Sequence, residues 1–192
     1  MCCALVMGIC GACGEPPSAQ DGSGQIKAAA DQLRLLGYDE QADLLADGVV
    51  SLDDYYAAFG LFTDCVEKAG FTVERSTPFI SPIDGLSFLY VVGHPKSSSV
   101  HEEDSAACGD RFLLTVQRLY RQTNVQQMDS VLAHFVGECM RNEGVDVSGH
   151  ESTFGDFAGA KSDPPTQRQT VASDCLVQGV TELYPGIIAF SY

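Results

Sequence analysis

Four cysteines in two matching contexts constrain this chain more than any other feature. Cys65-Val-Glu-Lys-Ala-Gly70-Phe-Thr-Val73 aligns without a gap to Cys139-Met-Arg-Asn-Glu-Gly144-Val-Asp-Val147. An amphipathic stretch leads into each: Ala58, Phe62, Cys65, Val66 and Ala69 recur at helical spacing, as do Met128, Leu132, Phe135 and Cys139. Gly70 and Gly144 then fall where a helix ends in a residue of positive φ, and the alternation after each reads as the start of a strand. A second cysteine follows in both contexts. Cys108 opens a helical pattern through Phe112, Val116, Leu119 and Tyr120, and Cys175 opens one through Gly179, Val180, Leu183 and Tyr184. Between the cysteines, Gly85-Leu-Ser-Phe-Leu-Tyr-Val-Val92 is the clearest strand, and 145–165 is less regular.

These patterns predict an α+β fold of two tandem helix–strand–strand–helix units, each closed by a disulfide between its helices. The first spans 27–123 with an N-terminal helical extension, and the second spans 124–192. Pairing Cys65 with Cys108 and Cys139 with Cys175 makes each unit self-sufficient. The cysteines of a pair are then 43 and 36 residues apart, loops for which a chain-entropy account gives about 4 kcal/mol apiece. Pairing across the units, 65 with 139 and 108 with 175, satisfies the cysteine count equally.

At 192 residues and 45% hydrophobic, the chain is long enough to bury a core. Its 26 acidic and 11 basic side chains leave a net charge of −15. That balance, with no basic cluster, argues against a nucleic-acid partner and against adhesion to anionic headgroups. Self-repulsion that keeps the protein soluble accounts for the acidity. The absence of Trp removes one common platform for sugar rings.

Residues 1–13, MCCALVMGICGAC, are apolar and uncharged, too short to span a bilayer and long enough for the apolar region of an export signal. Residues 14–26 open on the Pro/Gly/Ser-rich stretch GEPPSAQDGSGQ and read as a flexible tether. Gly11-Ala12-Cys13 resembles a bacterial lipobox, whose cysteine is lipidated and becomes the mature N-terminus. Two features depart from that pattern: no Lys or Arg precedes Lys27, and Cys10 stands at position −3 where Leu is usual. Cys10 and Cys13 also have the CxxC spacing of a metal knuckle, but adjacent Cys2 and Cys3 make a poor second ligand pair.

Motifs that carry chemistry are sparse. Asp43, Asp47 and Asp54 fall at positions of an EF-hand-like loop with Gly48 at its sixth residue. Leu45 stands where an oxygen ligand belongs, and Asp54 where a bidentate Glu does. A turn at Asp47-Gly48 and a capping box of Ser51 with Asp54 account for the same residues. His94, His101, His134 and His150 form no HExxH motif, and no two of them share a helical face at i, i+4 spacing. His101-Glu-Glu-Asp104 offers one nitrogen and several oxygens to a metal, and acidic residues there equally suit a helix N-terminus. No GxSxG, P-loop, GxGxxG or SxxK pattern occurs. Scattered carboxylates leave open a glycosidase-like pair. The sequence calls for no cofactor and no catalytic residue.

The leader, the tether, the phrase ADGVVSLDDYYAAFGLFTDCVEKAGFTV and a second cysteine before a long helix ending in RLY together resemble uncharacterised secreted proteins and lipoproteins of actinobacteria. The likeness covers 38–122 well and the second unit more weakly. It implies an extracytoplasmic protein, anchored to a bacterial cell membrane through lipid on Cys13 or secreted. A non-enzymatic module binding an extracellular protein or small molecule is the expected role, with an extracellular hydrolase using acidic residues as the alternative.

Overall fold

A computed structural model describes residues 20–93 and 102–187. Three helices open the chain: α1 (Gln20–Leu35), α2 (Asp39–Leu44) and α3 (Leu52–Lys68). Strands β1 (Val73–Ile80) and β2 (Phe88–Val92) follow, then α4 (Glu102–Phe112), α5 (Leu114–Thr123), α6 (Ser130–Asn142), α7 (Phe154–Ala158) and α8 (Gln167–Leu183). None of these helices is long and apolar enough to cross a membrane.

Local sequence sets most of these boundaries. Ser51 caps α3 by accepting the Asp54 N–H, while the Asp54 carboxylate accepts the Ser51 N–H in return. The same reciprocal box starts α7 at Thr153 and Asp156, and α8 at Thr166 and Gln169. Gly70 (φ 98°) and Gly144 (φ 76°) take the backbone out of α3 and α6. Helix α1 begins at Gln20, inside the stretch assigned from sequence to a tether. Ile26, Ala30 and Leu33 fall at i, i+4 and i+7, and burying that stripe holds residues 20–26 in the helix.

The core lies in two clusters. The first packs α1–α5 and the strand pair around an aromatic stack. Tyr55 lies 4.0 Å from Phe88, Phe79 lies 4.6 Å from Phe88, and Phe59 meets both Phe79 and Phe88 edge-on at 4.8 Å. The second cluster gathers Met128, Leu132, Val136, Met140, Phe157, Leu176 and Val180 between α6, α7 and α8. Each cluster has its own staple: Cys65–Cys108 joins α3 to α4, and Cys139–Cys175 joins α6 to α8. The bridges therefore close within units and not across them.

The two units share a disulfide-joined helix pair but are not copies. In the first, β1 and β2 pair antiparallel, Val73 opposite Val92 and Arg75 opposite Tyr90, with the register shifting between Arg75 and Ile80. In the second, the strand pair expected between Cys139 and Cys175 is absent among the described residues. Only Val145 and Val147 alternate there. Ser148, Gly149, Ser152 and Thr153 then supply turns and a cap instead of a β-branched run, and α7 forms in that place. Arg168 on α8 holds this irregular segment by donating to the carbonyls of Phe157, Asp146 and Asp156 at 2.6, 2.8 and 3.3 Å.

The helix expected to run on from Cys108 breaks at Leu113 (φ −129°, ψ −50°), which separates α4 from α5. Gln41, fully buried on α2, occupies the break. Its carbonyl oxygen accepts the N–H groups of Thr115 and Val116, and its amide donates to the Asp110 carbonyl at 2.8 Å. The first turn of α5 is thus capped by a side chain some 70 positions away.

Candidate functional site

The units meet where the β1–β2 turn docks on the approach to α6. The Asp129 N–H donates to the Pro82 carbonyl at 2.7 Å, the Gln127 N–H donates to the Asp84 carbonyl at 3.0 Å, and Ile83 enters the second core. The turn keeps its shape because the Asp84 carboxylate accepts the N–H groups of Leu86 and Ser87 and the Ser87 hydroxyl. From the far end of the chain, Gly186 pairs with Thr77 on β1 so closely that a Cβ there would lie 2.7 Å from the Thr77 oxygen. A cleft of about 630 Å³ opens at this junction. Ser81 and Pro82 form its floor, Tyr120 and Asn124 one wall, and Asp129 and Tyr184 the other.

One ionisable pair spans that second wall. The Tyr184 hydroxyl, at the end of α8, donates to Asp129 at 2.6 Å. The same Asp129 oxygen accepts the N–H groups of Val131 and Leu132 as the N-cap of α6. The tyrosine bond leads in lowering the Asp129 carboxyl, outweighing the opposing effect of burial, and the two backbone bonds add to it. Burial, then the bond to Asp129 and its charge, raise the Tyr184 phenol. Asp129 stays an anion with one oxygen shared by three donors, and the rest of the lining is amide, hydroxyl and apolar surface. The cleft suits recognition of a hydrogen-bonding ligand better than proton transfer.

A smaller cleft of about 340 Å³ lies across residues 127–130, bordered by His134, Arg141 and Glu151. Burial works to raise Glu151, but bonds from the Ser148 and Gly149 N–H groups and the Ser148 hydroxyl prevail and hold it down at about 2. Asp156, bonded by the Ser152 and Thr153 N–H groups, and Glu138, bonded by Arg141, are lowered as well. Among the described residues, every carboxylate displaced from its ordinary range is displaced downward. A glycosidase-type general acid needs the opposite shift.

The residues singled out in the sequence fall elsewhere. Asp47 accepts the Val49 N–H, Asp54 caps α3 and Asp43 faces Arg34 at 3.4 Å, so the EF-hand-like stretch is a turn and a helix start. No three His, Cys, Asp or Glu side chains among the described residues converge on one point. His134 is exposed on α6 beside Glu138, and His150 sits in the exposed turn after Val147. Cys2, Cys3, Cys10, Cys13, His94 and His101 lie outside the described residues.

Sequence reading missed the Asp129–Tyr184 pair, whose members are 55 residues apart. The one available signal was an Asp directly before the Ser-Val-Leu that begins α6, an N-cap pattern. The disulfides are consistent with an extracytoplasmic protein. Set against family models, curated proteins and solved structures, the chain matches none.

Proposed function

We propose that this chain is an extracytoplasmic binding module with no catalytic chemistry of its own. It is tethered at a bacterial membrane by lipid on Cys13 and takes its ligand in the cleft between the two units. The observation that carries this reading is the make-up of the cleft. Both units frame it, its lining is amide, hydroxyl and apolar, and its carboxylate is already bonded to Tyr184 and to the start of α6. The disulfides, the short apolar leader and the likeness to secreted lipoproteins support the location.

The test is amide NMR of residues 20–192 titrated with N-acetylated peptides and with N-acetylhexosamine oligosaccharides. Shifts confined to Ser81–Leu86, Asn124–Ser130 and Tyr184 are expected for at least one class. If neither class moves those resonances at millimolar concentration, the cleft is not the binding site. Membrane fractionation of the full chain tests the tether separately: Cys13→Ser is expected to release the protein from the membrane.

A further inference from the structure

Charge is distributed unevenly along this acidic chain. The longest run without an acidic residue is 111–128, which carries Arg111, Arg118 and Arg121 and forms the end of α4, all of α5 and the link to α6. Arg111 is paired with Glu40 at 3.6 Å. Arg118 and Arg121 are exposed, and among the described residues neither lies within ion-pairing distance of a carboxylate. With Leu114, which is 48% exposed, they occupy positions i, i+4 and i+7 and share one face of α5. The opposite face, Val116, Leu119 and Tyr120, is buried in the first core.

The backbone just beyond this stripe is unpaired. Asn124 leaves α5 in extended geometry (φ −110°, ψ 148°), and residues 125–129 belong to no regular element. Val125 is 88% exposed, and Gln126 is exposed beside it. Among the described residues, the N–H and carbonyl groups of both find no hydrogen-bond partner, whereas the next two N–H groups are held by Asp84 and Ser152. Asn124, Val125 and Gln127 also line the junction cleft. Two guanidinium groups without a carboxylate partner, Arg118 bonded only to the Gln122 side chain at 3.2 Å, therefore stand within two turns of an unpaired stretch of backbone at the mouth of a cleft.

From this we infer that the α5 face and the 124–127 link dock an extended acidic peptide segment of a partner protein. Its backbone pairs with the N–H and carbonyl of Gln126, and its carboxylates pair with Arg118 and Arg121. The inference rests on the cleft being the binding site and names the class of ligand that enters it. Free main-chain donors and acceptors select an extended peptide, which can add to them as a strand does. The arginines select carboxylates, which the planar guanidinium engages bidentately. A dense polyanion would meet two cations here and the net −15 charge of the whole chain.

Fluorescence anisotropy tests it, with a labelled octapeptide alternating Glu and Val, its Lys-for-Glu counterpart, and the full chain as receptor. The Glu peptide is expected to bind, and Arg118→Glu/Arg121→Glu to weaken it about tenfold or more while improving the Lys peptide. Gln126→Pro, which removes one exposed N–H, is expected to weaken both peptides with the far-ultraviolet circular dichroism unchanged. Glu-peptide affinity that survives the double charge reversal overturns the acidic specificity, and affinity that survives Gln126→Pro overturns the backbone pairing. A chain that ignores the Glu peptide, yet shows cleft shifts with another ligand by NMR, refutes this inference and leaves the binding-module reading standing.

Discussion

Gln41 shows how much one polar side chain carries when no water reaches it. Three hydrogen bonds fasten its amide to both sides of the α4–α5 break. Replacement by an apolar residue strands two N–H groups and a carbonyl in the interior. Gln41→Leu is expected to cost about 2–3 kcal/mol, read as a lower urea midpoint at unchanged m-value. Tyr55 is the opposite case. Its ring is fully buried against Phe88 and Tyr120, and burial pushes its phenol up to about 12. The hydroxyl approaches Gln117 and the Phe88 backbone, which pull the other way, but reaches hydrogen-bond geometry with neither. Tyr55→Phe keeps the ring and deletes the unsatisfied group, so it is expected to leave stability within about 1 kcal/mol of the parent or raise it. A loss as large as that of Gln41→Leu would show that the hydroxyl is bonded in solution. Neither role was legible in the sequence. Gln41 acts on residues about 70 positions away, and Tyr55 belongs to the helical stripe whether or not its hydroxyl is satisfied.

At the scale of elements, what could be read was what local chemistry dictates. The Ser51–Asp54 box, the glycines after α3 and α6 and the apolar stripes around the four cysteines are all short-range signals, and the helices follow them. The break at Leu113 was hidden because the stripe Phe112, Val116, Leu119, Tyr120 keeps its period across it. The second unit was misread because its likeness to the first ends soon after Gly144, beyond which turn residues replace the β-branched and aromatic run of β2. There Arg168 substitutes for a strand ladder, tying three carbonyls of 146–157 to α8. Lysine keeps the charge but lacks the planar fork, and cannot serve three separated acceptors. Arg168→Lys is expected to destabilise the fold by about 1.5–3 kcal/mol, and to speed amide exchange over 146–158 more than over β1 and β2. Uniform acceleration across both units would show that Arg168 supports the whole fold and not this segment.

Among the described residues, acid-sensitive groups are divided unequally between the two units. Asp129, Glu138, Glu151 and Asp156, the carboxylates held below their ordinary range, all lie in the second unit or at its junction with the first. A carboxylate whose folded pKa is depressed contributes stability that is complete above its unfolded value and is lost as pH falls through the folded value. The window therefore runs from about 4.5, the ordinary glutamate range, down to about 2, where Glu151 takes its proton. The Tyr184 phenol is raised, which reverses the sign: its contribution is complete below about 10 and is lost as pH rises beyond that. Amide exchange followed from pH 6 to pH 2 is expected to lose protection first over 128–157, while α3, β1 and β2 hold. Loss at one common pH in both units would mean that the junction bonds from Pro82 and Asp84 make the molecule a single cooperative block. Tyr184→Phe separates these outcomes. It deletes the leading cause of the Asp129 shift, so loosening of the α6 start is expected to begin at higher pH while the exchange of Glu151's own turn stays where it was. The cleft wall is built on that Asp129–Tyr184 bond. The same variant is therefore expected to loosen the cleft wall at the α6 start in mild acid, at a pH where that wall still holds in the parent chain.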